Sequence, residues 1–323
     1  MDFKFVNLLT NTYKIAIHSI CFTKMNQQFL QINQHYAGKN IQGKRNYQED
    51  DFGFDNSKPA GLLITLADGM GGHKGGATAS SCTIQTFMRT YRAMSGKVAV
   101  CLGQSLQQAN QQLVLETNKQ PALAGMGCTF VGVVIKAGQL EWISIGDSPL
   151  WVYRAGRLYR LNADHSMKPI LQEQVRRGDL TPKAAETHWN RNMLRSALTG
   201  TRLDLVDQSH EPFRLCSGDR VLLASDGIFT LSDLEISKIL AQPLSAKKTV
   251  DLLLKAVQDK AKPTQDNTTA LVVKIPNEVK AIPSASRRQT KILLPVAILI
   301  VLSLIFWAHL RIVDVTELIA RFF

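Results

Sequence analysis

Residues 129–161 read TFVGVVIKAGQLEWISIGDSPLWVYRAGRLYRL and hold four runs rich in β-branched and aromatic side chains. Three short links join the runs, namely Lys-Ala-Gly-Gln, Gly-Asp-Ser-Pro and Ala-Gly. Links of this length are typical of antiparallel hairpins, because a parallel connection needs about a dozen residues or more. The stretch therefore predicts consecutive antiparallel strands at 129–135, 140–145, 150–154 and 157–161.

Helices and further strands are predicted on both sides of this stretch. Upstream, the apolar run at 61–67 predicts a buried strand, and two apolar stripes at helical spacing predict consecutive helices. The stripes consist of Ile84, Phe87, Met88 and Tyr91, and of Leu102, Leu106, Ala109 and Leu113. Downstream, strands are predicted at 220–225 and 268–275, with helices at 232–241 and 245–261 between them. Hairpin-linked strands with paired helices favour a layered α+β sandwich over a doubly wound parallel sheet.

Composition excludes several classes of protein. The chain has 323 residues, of which 45% are hydrophobic and 20% charged, so it is not a disordered tail, a collagen-like repeat or a disulfide mini-protein. The net charge of +12 suits nucleic acid, an anionic membrane or phosphorylated partners, and does not choose among them. Five widely spaced cysteines without a C-x-x-C pair predict neither zinc nor a disulfide framework, but small buried hydrophobic residues in a reducing cytosol.

The chain divides by composition into five parts. Residues 1–24 lack a signal peptide's compact apolar segment and cleavage site, and are expected to be an N-terminal extension. The folded domain is predicted over 25–276, and a polar, basic linker follows over 277–291. Residues 292–310 are 19 uncharged positions, which is long enough for one transmembrane helix. Residues 311–323 would form a short tail.

The orientation of this predicted helix follows from the charges that flank it. Three basic residues precede it and two follow it, namely Arg287, Arg288 and Lys291 before, and Arg311 and Arg321 after. The positive-inside rule therefore predicts a single-pass protein of the cell membrane with a cytoplasmic domain. The alternative is a helix that lies flat in the interface or is buried in a partner, which the absence of a polar face disfavours.

Aspartates stand at or beside the ends of apolar runs, each next to Gly, Ser or Asn. One such Asp-Gly is an ordinary turn, but four of them with Glu49 and Asp50 upstream are not expected by chance. Carboxylates at the rim of a sheet are the arrangement that holds hard divalent cations. The four are Asp68 in LADGMGGH, Asp147 in SIGDSPL, Asp226 in LLASDGI and Asp266 in TQDNTTAL.

These motifs occur in one order along residues 43–275. They are GKRNYQED, LADGMGGH, GCTFVGVVI, ISIGDSPLWVYRAG, DHS at 164–166, LLASDGIFT and DNTTALVV. On them the sequence resembles the metal-dependent type-2C Ser/Thr protein phosphatase family, in its bacterial branch. The resemblance implies a four-layer sandwich of two antiparallel β-sheets flanked by helices, with a metal centre at one end.

The metal ligands are implied by the same resemblance. Asp68 would bridge two Mg²⁺ or Mn²⁺ ions, and the carbonyl oxygen of Gly69 would bind one of them. Asp226 and Asp266 would complete the ligand shell of one ion. A hydroxide that bridges the two ions would then attack phosphorus in line, since two such ions can activate a shared water.

The remaining implied roles concern outer ligands and the substrate. Glu49 and Asp50 would hold metal-bound waters, and Asp147 would help to bind a third, weaker ion. Arg45 would grip phosphate oxygens with its guanidinium group, a bidentate geometry that lysine provides poorly. The expected substrates are phosphoserine and phosphothreonine in proteins that a Ser/Thr kinase modifies.

The sequence departs from the family at two motif positions. Met70 follows Gly69 where some members place a histidine, so the acid for the leaving group is His73, a metal-bound water or none. Pro149 follows Gly-Asp-Ser where arginine is frequent, which removes a contact to phosphoprotein. Residues 168–192, where the family carries its flap, are basic and suit either a phosphopeptide or simple solvation.

Two other functions are compatible with parts of this pattern. A catalytically weak regulator that binds phosphoproteins would share the fold, but every expected metal carboxylate is present. A two-metal nuclease would suit the basic charge, but no nucleic-acid module or stacking platform is recognisable. We therefore expect phosphoproteins and the membrane, not nucleic acid, as partners.

Overall fold

The computed structural model describes residues 30–56, 61–72 and 74–276. The strands are β1 Tyr36–Ile41, β2 Asp51–Asp55, β3 Leu62–Ala67, β4 Gly69–Met70, β5 Gly127–Cys128, β6 Phe130–Lys136, β7 Gln139–Ile145, β8 Leu150–Arg154, β9 Arg157–Arg160, β10 Asp207–Gln208, β11 Phe213–Arg214, β12 Arg220–Ala224 and β13 Thr268–Lys274. The helices are α1 Lys74–Ala93, α2 Val98–Lys119, α3 Lys168–Arg177, α4 Pro182–Glu186, α5 Asp233–Leu240 and α6 Ala246–Asp259, with 3₁₀ turns at Pro121–Leu123 and Asp226–Thr230.

The strands form two main antiparallel sheets. Sheet I has the order β1, β13, β12, β8, β9, and sheet II has the order β10, β7, β6, β3, β2, with β11 also paired to β7. The short strands β4 and β5 pair separately. Every residue of β3 and β12 is buried, because both faces of these central strands are covered, and such strands read as continuous apolar runs.

Three apolar layers hold the elements together. Leu62, Ile64 and Leu66 of β3 point between the two sheets, whereas Leu63 points to the other face and packs with Phe87 of α1 and other residues of α1 and α2. Alternate side chains leave a strand on opposite faces, so one strand serves two layers. On the outer face of sheet I, Leu222 and its neighbours pack against α5 and α6. The predicted sandwich of antiparallel sheets flanked by helices is confirmed.

The link Gly146–Pro149 corrects one expectation. It does not close a hairpin, because β7 pairs with strands of sheet II and β8 pairs with β9 and β12 in sheet I. Gly146 adopts a φ of 99°, and a Cβ there would collide with Thr129, so the crossing needs glycine. As a result, Asp147 lies where the chain passes from one sheet to the other.

The cysteines follow the prediction in part. Cys101 and Cys128 are buried and Cys82 is half-buried, all three as thiols. Cys216 is disulfide-bonded, which differs from the prediction of five reduced cysteines. It lies in the link between β11 and β12 and is half-buried.

Several predicted parts of the chain lie outside the described residues. They are the extension 1–24, the linker 277–291, the transmembrane helix 292–310, the tail 311–323 and the histidine His73. Among the helices that the structure does describe, none is both long and apolar enough to cross a bilayer.

Candidate active site

A cavity of about 700 Å³ opens where strand ends of both sheets meet. Asp68 follows β3 and Asp147 follows β7 of sheet II, while Asp226 follows β12 and Asp266 precedes β13 of sheet I. Glu49 lies in the link between β1 and β2 and also lines the cavity, as do Arg45 and Gly69. Residues that are up to 221 positions apart in the sequence (Arg45 and Asp266) thus share one site.

Asp50 is a buried carboxyl group fixed from one side. Its Oδ2 accepts hydrogen bonds from the hydroxyls of Ser225 and Thr269, each at 2.7 Å. Its Oδ1 is buried and has no hydrogen-bond donor among the described residues. Burial raises the pKa of Asp50 to about 6, although the two hydroxyls oppose the shift. A buried carboxylate oxygen without a donor suits a nearby cation.

Asp68 and Asp226 have the most perturbed carboxyl groups of the site. Burial, and then the charges of neighbouring aspartates, hold the pKa of Asp68 well above its ordinary value. Burial raises the pKa of Asp226 to about 7, with Asp147 and Asp266 adding to the shift and Lys168 opposing it. Buried carboxylates that lie close together bind either protons or cations, because both remove the repulsion between their charges. The atoms that could ligate a metal here are all hard oxygens, which fit Mg²⁺ or Mn²⁺.

Gly69 is fixed by the close packing of three backbone segments. Its N–H donates to the carbonyl of Glu49 at 3.1 Å, and it pairs with Cys128 in the ladder of β4 and β5. A Cβ at this position would strike the backbone oxygens of Gly76 and Glu49. The absence of a side chain therefore lets the Asp68–Gly69 turn lie against the start of α1.

Two basic side chains already neutralise part of the acidic cluster. Arg45 Nη2 lies 2.6 Å from Asp266 Oδ2, and Lys168 Nζ lies 3.1 Å from Asp147 Oδ2. Within residues 30–56, 61–72 and 74–276, no three His, Cys, Asp or Glu side chains are arranged to ligate one ion as they stand. An ion that binds here has to draw the carboxylates together against these two pairs.

Two polar residues position the site through hydrogen bonds that were not predicted from the sequence, although Asn267 was expected to shape the turn after Asp266. The side chain of Asn267 accepts from Glu49 N–H at 2.9 Å and donates to the carbonyls of Gln42 and Tyr47, so it ties the loop of Arg45 to β13. Thr129 exchanges hydrogen bonds with the backbone of Asp68. The sequence signal for both residues was a polar side chain next to or within an apolar strand motif. Such a side chain must find a hydrogen-bond partner when it is buried.

The basic segment 168–192 contains α3 and α4. Arg176 and Arg177 pair with Glu173 on the same helix, so these two charges are partly neutralised locally. Trp189 is 84% exposed, and the cavity is lined by Asn192, the last residue of this segment, and by Met193 and Leu194 after it. The segment thus borders the site, and Lys168 at its beginning contacts it directly.

Comparison with known proteins identifies the family. The family model "Protein phosphatase 2C" matches residues 37–271. The Serine/threonine phosphatase stp of Listeria welshimeri is 28% identical over 235 residues, which cover 71% of this chain and 90% of that protein. The crystal structure of the Mycobacterium tuberculosis serine/threonine phosphatase PstP/Ppp matches with a TM-score of 0.64 and 28% identity, over 75% of this chain and 98% of that one. The PstP catalytic domain in complex with two manganese ions matches with a TM-score of 0.62, also at 28% identity and over the same shares of the two chains. Because the family model spans most of the sequence and the motifs line one cavity, the chain belongs to the protein phosphatase 2C family.

Proposed function

We propose that this chain is a metal-dependent protein phosphatase that hydrolyses phosphoserine and phosphothreonine in proteins. The observation that carries the proposal is the cavity itself, where carboxylates from both sheets meet beside an exposed guanidinium group, that of Arg45. A phosphoprotein presents a dianion on a flexible segment, and such a group suits an open cavity lined by a cation and by metal-binding oxygens.

The residues that would hold two Mg²⁺ or Mn²⁺ ions are those with hard oxygen donors around Asp68. Asp68, Gly69, Asp226 and Asp266 line the cavity, and Gly69 would contribute its carbonyl oxygen. Glu49, which also lines the cavity, and the buried Asp50 would act as outer partners. When bound, two such ions supply Lewis acidity for an in-line displacement at phosphorus. The protein's own part is to hold these oxygens in place and to position the phosphate.

Arg45 is the group that would bind the phosphate. Its side chain is 56% exposed and reaches into the cavity beside Asp266. A guanidinium group can donate two parallel hydrogen bonds to a phosphate. When Asp266 binds an ion, its charge is neutralised from another side, and the guanidinium group can turn to the substrate.

The membrane anchor belongs to the same proposal. Residues 292–310 would cross the cell membrane once, with the phosphatase domain of residues 25–276 on the cytoplasmic side, where it meets proteins modified by a Ser/Thr kinase. The support is the run of 19 uncharged residues and the three-to-two bias of flanking basic residues.

The activity test uses the purified full chain and a phosphothreonine peptide. We expect phosphate release that requires Mn²⁺ or Mg²⁺ and stops in EDTA, loss of release in Asp68→Asn, and normal release in the matched control Asp259→Asn on α6. Metal-dependent binding of the peptide without turnover would favour the regulator, and cleavage of DNA instead of the peptide would favour the nuclease.

The anchor is tested in membranes. We expect the full chain to resist carbonate extraction and a tag at the C-terminus to be protected from protease added on the cytoplasmic side. A chain truncated after residue 286 that stays on the membrane would contradict the anchor, and a tag cleaved from the cytoplasmic side would contradict its orientation.

A further inference from the structure

Lys168 forms an enclosed ion pair inside the acidic site. Its Nζ lies 3.1 Å from Asp147 Oδ2, and the exposed fractions of the two side chains are 14% and 6%. The same Nζ lies 5.0 Å from the centre of the Phe229 ring, a cation–π distance. The ammonium group is therefore already paired with Asp147, the carboxylate that would help to bind a third metal ion.

A second cation adjoins Asp147. Arg160 Nη2 donates to the backbone carbonyl of Asp147 at 2.8 Å and pairs through Nη1 with Asp164 at 3.2 Å. The carboxylate of Asp147 is thus neutralised by Lys168, and its carbonyl oxygen is occupied by Arg160. Two of the three oxygens of Asp147, Oδ2 and the backbone carbonyl oxygen, therefore already have positively charged donors.

The segment that carries Lys168 is held in place. The N–H of Lys168 donates to Ser166 Oγ at 3.3 Å, and the N–H and Oγ of Ser166 donate to Asp164 Oδ1 at 2.8 and 2.6 Å. These bonds lead directly into α3, which begins at Lys168. The backbone that carries the ammonium group of Lys168 is therefore held by a hydrogen-bonded turn.

The same turn is joined to the loop of Asp147. The N–H of Gly146 donates to His165 Nδ1 at 3.2 Å, and the N–H of His165 donates back to the Gly146 carbonyl at 3.0 Å. Burial lowers the pKa of His165, which keeps its ring neutral and Nδ1 able to accept. The two backbone segments that carry Lys168 and Asp147 are thus hydrogen-bonded to each other.

We propose that the ammonium group of Lys168 takes the place of a third divalent cation, so that this chain binds two ions and not three. The inference rests on the proposed function, because the two remaining ions are those of the phosphatase centre. A third ion would have to displace Lys168 from Asp147 and leave the ammonium group enclosed without its partner, which is costly. Because the ammonium group of Lys168 belongs to the chain, this positive charge is present at any concentration of free metal.

The test counts manganese ions on the purified full chain. Free Mn²⁺ is measured by electron paramagnetic resonance while the metal is raised to millimolar concentration. We expect two ions per chain in the native protein and three in Lys168→Met, which keeps the apolar stem against Phe229 but removes the charge. The affinity for the third ion should rise at least about tenfold in that variant, since its carboxylate is no longer occupied. Lys183→Met, which removes an exposed charge of α4, is the matched control and should bind two.

Three results would overturn the proposal. The first is a third ion on the native chain that binds with the same affinity as in Lys168→Met. The second is that Lys168→Met still binds only two ions. The third is a third anomalous peak on Asp147 in crystals of the native chain grown with Mn²⁺. Such crystals are expected to show two peaks and Lys168 on Asp147. Fewer than two ions on the native chain, together with no phosphate release, would instead contradict the proposed phosphatase itself.

Discussion

At the scale of single residues, the site gathers like charges that destabilise one another. Asp50, Asp68 and Asp226 have raised pKa values because they are desolvated and face further carboxylates. Residues arranged for function often cost stability in this way. Their substitution should therefore change activity and stability in opposite directions.

For Asp68→Asn we expect phosphatase activity to fall by at least about 100-fold, because loss of a direct ligand exceeds the 10–100-fold cost of losing a ligand's hydrogen-bond partner. In EDTA the variant should melt at the same temperature as the native protein or higher, since the substitution removes a carboxylate that neighbouring aspartates repel. Calorimetry with and without Mn²⁺ checks this, and Asp226→Asn should behave alike. If both variants keep most of their activity, the assignment of these ligands is wrong.

Arg45→Ala should act on substrate binding. Because the guanidinium group grips phosphate in the ground state and in the transition state, KM should rise about tenfold while kcat changes little. The KM of Arg45→Lys should lie between those of the native protein and Arg45→Ala, since lysine keeps the charge but cannot donate two parallel hydrogen bonds to phosphate. Steady-state kinetics with a phosphothreonine peptide measures both constants, and an effect confined to kcat would contradict this role.

At the scale of elements, α5 has a complete capping box. Ser232 Oγ accepts from the N–H of Glu235, and Glu235 Oε2 accepts from the N–H of Ser232 at 2.9 Å. These two bonds satisfy backbone donors at the start of the helix. Ile236 and Leu240 of α5 belong to the apolar layer on the outer face of sheet I, so the cap supports that layer.

Ser232→Ala should lower the free energy of unfolding by about 1 kcal/mol, the usual cost of losing an N-cap side chain. Urea unfolding measures the loss, and kcat should stay unchanged because α5 does not line the cavity. Ser237→Ala, inside the same helix, is the control and should be neutral or slightly stabilising, since alanine favours helix. An equal loss in both variants would show that the cap contributes nothing specific.

At the scale of the whole molecule, stability is linked to pH and to metal. The folded chain binds protons on Asp50 and Asp226 up to pKa values of about 6 and 7, whereas the unfolded chain releases them near the ordinary value of 3.8. The stabilisation that these protons give is complete below the unfolded pKa and is lost as pH rises through the folded values. Bound cations would replace the protons at higher pH.

We therefore expect the metal-free protein in EDTA to melt at a higher temperature at pH 5.5 than at pH 8, and added Mn²⁺ to raise the melting temperature more at pH 8. Differential scanning calorimetry at several pH values measures both trends. Asp226→Asn should flatten the dependence in EDTA, because one of the linked groups no longer titrates. A metal-free protein that becomes more stable from pH 5.5 to pH 8 would contradict the linkage.

The acidic motifs could be recognised from sequence because each follows local rules. Asp68 and Asp226 end apolar strands at turns, and an apolar run that ends in Asp-Gly is visible without a structure. The partners of these residues could not be recognised. Ser225 and Thr269 hold Asp50 from 175 and 219 residues away, and no local pattern reports on contacts at such separations.

The antiparallel sandwich was predictable, because alternation and short links depend on neighbours in the chain. The path of the Gly146–Pro149 link was not, since a four-residue link can close a hairpin or cross between sheets, and the pairing of β8 with β12 selects the second. That crossing brings Asp147 to Lys168, 21 residues later, which in the sequence is only the first charge of a basic segment. Its enclosure against Phe229 and the neighbouring carboxylates exists only once the two sheets have packed, because burial and ion pairing depend on tertiary contacts.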